Sequence, residues 1–241
     1  LMDTELPSMV TFYVTMEGNS VSISVDIQDW IEGSSTFYDI FGINTPAGES
    51  NGVSPGDQIA IYLKKENSYN LLDTFTYNTD LKWYPKTAVY WEDITTDPAQ
   101  IRASMRVAEP LNNTQLPDIL IADELSVARN TGANLVLRHA ASKVEVELTS
   151  STFTQDDLDN AIITLPGYLS GAYEEKGVFI SGSQRNNILV DRTDKATGVA
   201  IIQPQSVSPN AAIVNVRINN RDYPAYTTID GFIFQPGTAY K

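Results

Sequence analysis

The 241-residue chain has no cysteine, a single histidine, and no lysine or arginine in its first 63 residues. Without thiols there can be no disulfide framework, thiolate zinc site, iron–sulfur cluster or cysteine nucleophile, and one imidazole cannot build a multi-histidine metal centre. No apolar run approaches the roughly 18 residues that a membrane-spanning helix needs. The opening Leu1-Met2-Asp3 lacks the basic and apolar regions of an export signal, so the sequence is expected to be a mature or trimmed polypeptide. Positive charge is scarce throughout: 16 Lys and Arg stand against 30 Asp and Glu, a net charge of -14, and nine of the acids fall in residues 1–63. Such a surface repels polyanions and acidic bilayers, so neither nucleic acid nor a membrane surface is an expected partner. What the chain does have is apolar material, 42% of its residues with 12 Tyr, 8 Phe and 3 Trp, enough for two ordinary cores in water.

That material alternates with a period of two. Val21, Ile23, Val25 and Ile27 are separated by Ser22, Ser24 and Asp26; Ile59 and Ile61 flank Ala60; Val144, Val146 and Leu148 alternate with Glu145 and Glu147; Val214, Val216 and Ile218 alternate with Asn215 and Arg217. Each pattern predicts a strand with one wet face. Asp97-Pro98 looks like a helix start, yet Ile101, Ala103, Met105 and Val107 alternate with Arg102, Ser104 and Arg106, so a strand is expected there as well. Only Thr154-Gln155-Asp156-Asp157-Leu158 reads as a helical turn, opened by a capping-box pattern and cut short by Leu165-Pro166-Gly167. Turn clusters such as Pro55-Gly56-Asp57 and Pro236-Gly237 separate the strands, and no amphipathic helices alternate with them. The expected fold is therefore all-β, two tandem antiparallel β-sandwich domains covering 1–132 and 133–241, with the boundary at the polar stretch Arg129-Asn130-Thr131-Gly132.

Candidate sites are few. In Leu135-Val136-Leu137-Arg138-His139 the odd positions share one strand face, so the only imidazole stands beside two leucines. A core histidine bonded to a neighbour is expected, since a lone base without a nucleophile motif lacks catalytic partners. The carboxylate groups Glu92-Asp93, Asp156-Asp157-Leu158-Asp159 and Glu174-Glu175 have no EF-hand spacing and read as solvated surface. Neither a Walker A nor a G-x-G-x-x-G motif occurs. Catalytic residues, cofactors and metals are accordingly all expected to be none. Trp83-Tyr84-Pro85 and Tyr90-Trp91 allow two readings: cross-strand core aromatics, or rings exposed for stacking on sugars, in which case Trp83 and Trp91 would be the glycan contacts of a surface glycan-binding lipoprotein.

Several segments, taken in order, resemble the fimbrillin (Mfa-like) family of Bacteroides-type pilus subunits. They are Pro55-Gly56-Asp57-Gln58-Ile59-Ala60-Ile61-Tyr62, Trp83-Tyr84-Pro85 with Ile101-Arg102-Ala103, Leu116-Pro117-Asp118-Ile119-Leu120-Ile121-Ala122, Leu135 to Val146 with its His139-Ala140-Ala141-Ser142-Lys143-Val144 centre, Ile201-Ile202-Gln203-Pro204-Gln205, and Phe234-Gln235-Pro236-Gly237-Thr238-Ala239-Tyr240. The resemblance implies transthyretin-like or Ig-like sandwiches, export as a lipoprotein precursor, and a non-enzymatic role as a pilus subunit or adhesin at the cell surface, in the outer membrane or a fimbrium. Its implied partners are other pilus subunits, in a homo- or hetero-polymer, and host or bacterial surface ligands. Contact with membrane is through a lipid anchor on the precursor alone. It further implies assembly by β-strand exchange, in which a neighbour's strand replaces a removed N-terminal one. Val10, Phe12 and Val14, sharing one face of Val10-Thr11-Phe12-Tyr13-Val14, are the expected assembly strand. Ala60 and Leu137 depart from the family's usual Gly and Phe. Members of the family continue past the position of Lys241 into a last strand, so the C-terminal sandwich is expected either to lack that strand here or to end differently, and no arginine precedes Arg102 to serve an arginine-specific protease.

Overall fold

The computed structural model describes residues 10–12, 23–32, 54–80, 83–87, 89–195 and 197–241. In chain order the strands of the first half are β1 (Val10–Phe12), β2 (Ile23–Ile27), β3 (Ile31–Glu32), β4 (Gln58–Lys65), β5 (Ser68–Tyr77), β6 (Trp83–Pro85), β7 (Ala99–Ala108), β8 (Asp118–Val127) and β9 (Ala133–His139). The second half contains β10 (Ser142–Glu147), the one-turn helix α1 (Gln155–Asp159), β11 (Ile162–Ser170), β12 (Tyr173–Glu175), β13 (Val178–Ile180), β14 (Gln184–Leu189), β15 (Asp191–Arg192) and β16 (Thr197–Ile202). It ends with β17 (Gln205–Val207), β18 (Ala212–Ile218), β19 (Arg221–Tyr226), β20 (Phe232–Phe234) and β21 (Thr238–Tyr240). The expected all-β class is what the chain adopts. Thr154 caps α1 through the predicted box, accepting from the Asp157 amide while the Asp157 carboxylate accepts from the Thr154 amide.

An eight-stranded sheet runs β1-β2-β9-β8-β7-β4-β5-β6, and its end strands β1 and β6 approach one another, so the sheet curls around one apolar core. Alternation decides which side chains enter it. Ile59, Ile61 and Leu63 of β4 point inward with Phe75 and Tyr77 of β5 and Ala99, Ile101 and Ala103 of β7, all buried. A second core lies between the five-stranded sheet β15-β16-β10-β21-β3 and the four-stranded sheet β14-β11-β18-β19, which contribute Val144, Ile202, Tyr240, Ile163, Leu165, Tyr168 and Val216 to one cluster. Two hairpin-like pairs, β12 with β13 and β17 with β20, complete the second half.

The sequence boundary at 132/133 assigns β9 to the C-terminal sandwich, whereas β9 is a strand of the eight-stranded sheet, with Leu135 and Leu137 in the first core. Residues 128–132 form the turn between β8 and β9, in which Asn130 takes a φ of 62° and the Thr131 amide bonds the Ala128 carbonyl. The chain crosses from one core to the other at Ala140 and Ala141, both buried. There Gln115 acts as a bolt: its amide donates to the carbonyls of Leu189 and Val199 and accepts from the Ile201 amide, all at 2.8 to 2.9 Å.

On the outer face of the first sheet, Tyr69 of β5 donates its hydroxyl to Glu124 of β8, and the Arg102 guanidinium of β7 lies 4.1 Å from the ring centroid. Burial, then the hydrogen bond and charge of Glu124, push the Tyr69 phenol up to about 12, against the opposing pull of Arg102. The unfolded chain loses this proton first, so the contribution is complete below the ordinary tyrosine value of 10.0 and is lost as pH rises towards 12. Stability measured by urea unfolding should fall across that window, and Tyr69→Phe should make the fall shallower.

Candidate assembly site

Nearly all pairing in the body of both sheets is antiparallel, and the parallel pairs gather at the termini. β2 runs parallel to β9 over five positions, from Ile23 opposite Ala133 to Ile27 opposite Leu137. Two residues of β21 lie parallel to β10, and β3 lies parallel to β21. One short segment, Ile23–Glu32, thus joins both sheets, β2 lying between β1 and β9 in the first and β3 forming the edge beside β21 in the second. Its backbone continues the two ladders: the Gln28 amide donates to the Leu137 carbonyl at 2.7 Å and the Ile31 amide to the Gly237 carbonyl at 2.8 Å.

Two of its side chains are anchors. Val25 is 1% exposed, dropped into the first core. Trp30, also buried, packs with Ala141, Ile201 and Ala239 in a small cluster where the two cores meet. Its indole stacks on the His139 imidazole with centroids 3.9 Å apart and planes 14° from parallel. His139 is 0% exposed, and its Nδ1 lies 2.7 Å from Asp118 Oδ1, at the start of β8. The imidazole therefore fills a core position as its strand phase predicts, closed over by a residue of the N-terminal segment. Trp30 also borders an open cleft of about 530 Å3, shared with Asp118, Lys143, Glu145, Ile201 and Lys241.

Of the residues expected to form the assembly strand, Val10 and Phe12 lie in β1, opposite Val25 and Ile23, while Val14 falls outside the described residues. β1 is the outermost strand of its sheet, and β2 stands between it and β9. Val25 and Trp30 were missed as anchors, although the alternation Val21-Ile23-Val25-Ile27 marks the strand. Asp118 was also legible in principle, being in phase with the buried Leu120 and Ala122 and so in need of a buried partner.

Trp83 and Trp91, the glycan contacts of the alternative reading, are 0% and 2% exposed; Trp83 packs on Tyr77 with centroids 5.0 Å apart. Neither ring offers a face on which a sugar could stack. Among the described residues no group of three or more His, Cys, Asp or Glu could hold a metal, and no helix is long and apolar enough to cross a membrane. Gly48-Glu49-Ser50-Asn51-Gly52 has the G-x-S-x-G spacing of serine hydrolases but lies outside the described residues. The one imidazole that could activate its serine is sealed beneath Trp30.

The chain is all-β, its antiparallel sheets joined by a few parallel pairings of β2, β3 and β21. Residues 45–241 match the model of the fimbrillin-like family, and the chain belongs to that family. Among solved structures it is similar to a Bacteroides uniformis protein provisionally assigned to cell adhesion, with a TM-score of 0.56 and 13% identity over 76% of this chain and 84% of that one. A second, from Bacteroides ovatus and given the same provisional assignment, has a TM-score of 0.51 and 13% identity over 90% of both chains. No curated protein matches the sequence. Family membership carries a non-enzymatic, fimbrial or adhesive role at the cell surface.

His139→Ala should leave a cavity under Trp30 and a carboxylate without its partner, lowering stability by on the order of 3 kcal/mol. Chemical denaturation followed by Trp fluorescence measures it; a loss below about 0.5 kcal/mol would mean that the stack and the hydrogen bond contribute little.

Proposed function

We propose that this protein is a pilus subunit that joins its neighbours by β-strand exchange, with Ile23–Glu32 occupying the position that another subunit's strand takes in the polymer. The observation that carries the reading is the single short segment that pairs in parallel with a strand of each sheet. Its groove is lined by backbone groups of β9 and β21 and by apolar pockets at Val25 and Trp30, the features by which an added strand is recognised. A strand from a second molecule would meet the same ladder and the same pockets, and many ladder bonds with a buried apolar row dissociate slowly without a covalent link. Partners on this reading are other pilus subunits, as homo- or hetero-polymer, with host or bacterial surface ligands at the exposed end. Export and attachment to the outer membrane through a lipid on the precursor belong to the same reading and rest on family resemblance alone.

The test is to produce residues 33–241, confirm the β fold by circular dichroism, and add a synthetic peptide of residues 21–34. The trimmed protein should self-associate or bind the peptide one to one, with Trp30 fluorescence shifting to the blue as the indole enters its pocket. Val25→Asp in the peptide should weaken binding by at least about a hundredfold, the equivalent of some 3 kcal/mol for a charge placed in a core pocket. A trimmed protein that stays folded, monomeric and indifferent to the peptide would overturn strand exchange.

A further inference from the structure

A basin of about 690 Å3 opens on the outward face of the first sheet, well inside the roughly 300–1,000 Å3 range of ligand clefts. Its floor follows from register. Because Ile59 and Ile61 point into the core, Gln58, Ala60 and Tyr62 of β4 point out, and Ala60 is paired with Thr74 of β5 on one side and Ser104 of β7 on the other. Three small side chains therefore stand in a row across three strands and form a hollow. Tyr62 closes one end, while Gln58 and Arg106, two residues on in antiparallel strands, close the other.

The roof comes from the second half. Hairpin β12–β13 reaches over the sheet and brings Tyr173, 54% exposed, and Glu174 to the rim. Its turn, with Lys176 and Gly177 both at positive φ, rests on β7 so closely that a Cβ at Gly177 would lie 2.8 Å from Arg102 Cβ. Glu174 accepts from the Gly177 amide within that turn, which fixes the carboxylate over the floor. Burial and the nearby Glu174 charge raise the Tyr62 phenol, the mark of a carboxylate held close to that ring.

What such a basin can bind is narrowed by what it lacks. β4 is hydrogen-bonded along both sides, so the floor offers no backbone edge on which an extended peptide could add. Recognition must come from side chains, and these are two phenol rings, a carboxamide, hydroxyls and carboxylates. Arg106 is already paired with Glu109 at 2.6 Å, so Asp57 and Glu174 dominate the local charge, and the chain as a whole carries -14. An anionic ligand is disfavoured on both counts. A ligand rich in hydroxyls, uncharged, and with flat C–H faces meets every requirement, since Tyr rings give an apolar face with a polar tip and carboxylates accept from hydroxyls.

We propose that this basin is a binding site for a neutral oligosaccharide, with Tyr173 and Tyr62 against the sugar faces and Gln58, Thr74, Asp57 and Glu174 bonding its hydroxyls. The site uses no residue of Ile23–Glu32, so it stands or falls independently of strand exchange. The full chain is titrated calorimetrically with maltohexaose, cellohexaose, xylohexaose and mannohexaose, and with sialyllactose as an anionic comparison. At least one neutral hexasaccharide should bind saturably. Tyr173→Ala, which removes an exposed ring, and Ala60→Leu, which fills the hollow, should each weaken it by about tenfold or more, while Tyr226→Ala, an exposed ring of β19 outside the basin, should leave it unchanged. If Ala60→Leu fails to fold, the exposed Tyr173 decides the matter. Absence of saturable binding to all four neutral sugars, equal binding by Tyr173→Ala, or tighter binding of sialyllactose would overturn the proposal.

Discussion

Backbone amides and carbonyls on a sheet edge must find partners, and on β9 and β21 a single segment supplies them for both halves of the molecule. Both pairings are long-range, Ile23 of β2 facing Ala133 of β9 and Ile31 of β3 facing Thr238 of β21. Such separation is what permits the parallel orientation, because a two-residue turn can only make antiparallel neighbours. Val25 and Trp30, both buried, seat the segment against the two halves.

The joint between the halves rests on a second kind of interaction, buried polar groups satisfied across it. Gln115 makes three hydrogen bonds to backbone of the second half, and beside it, within the first half, His139 holds Asp118 under the Trp30 ring that stacks on the imidazole. Each such bond is worth only about 0.5–1.5 kcal/mol when made, but an orphaned buried partner costs about 1–3 kcal/mol. The asymmetry matters more than the sum. Relative rotation of the two halves would unpair several groups at once with no water to replace them, so the joint resists partial opening.

Much of this was legible in the residues. Period-two alternation marks β2, β4, β7, β10 and β18, and the phase of His139 with Leu135 and Leu137 places it in the core. Other features were hidden for physical reasons. Gln184–Leu189 forms β14 as an edge strand with Ile188 its one buried side chain, so no alternating pattern announces it. A β-turn and an interdomain linker draw on the same polar, glycine-containing residues, which is why Arg129-Asn130-Thr131-Gly132 suggested a boundary where the chain makes a tight reversal. Alternation shows which face of a strand is buried but not which edge it will join, so the parallel seat of β2 and the role of Trp30 were beyond it. The aromatic residues at 83 and 91 could be read either way until their burial was known.

Gly177 has a mechanical consequence. The hairpin turn is seated directly on the β7 backbone, so the halves touch at a second place besides the Ala140–Ala141 crossing that Gln115 bolts. Two supports prevent swivelling where one would allow it, so a twist applied at one end of the molecule is delivered to the other instead of being absorbed at a flexible neck.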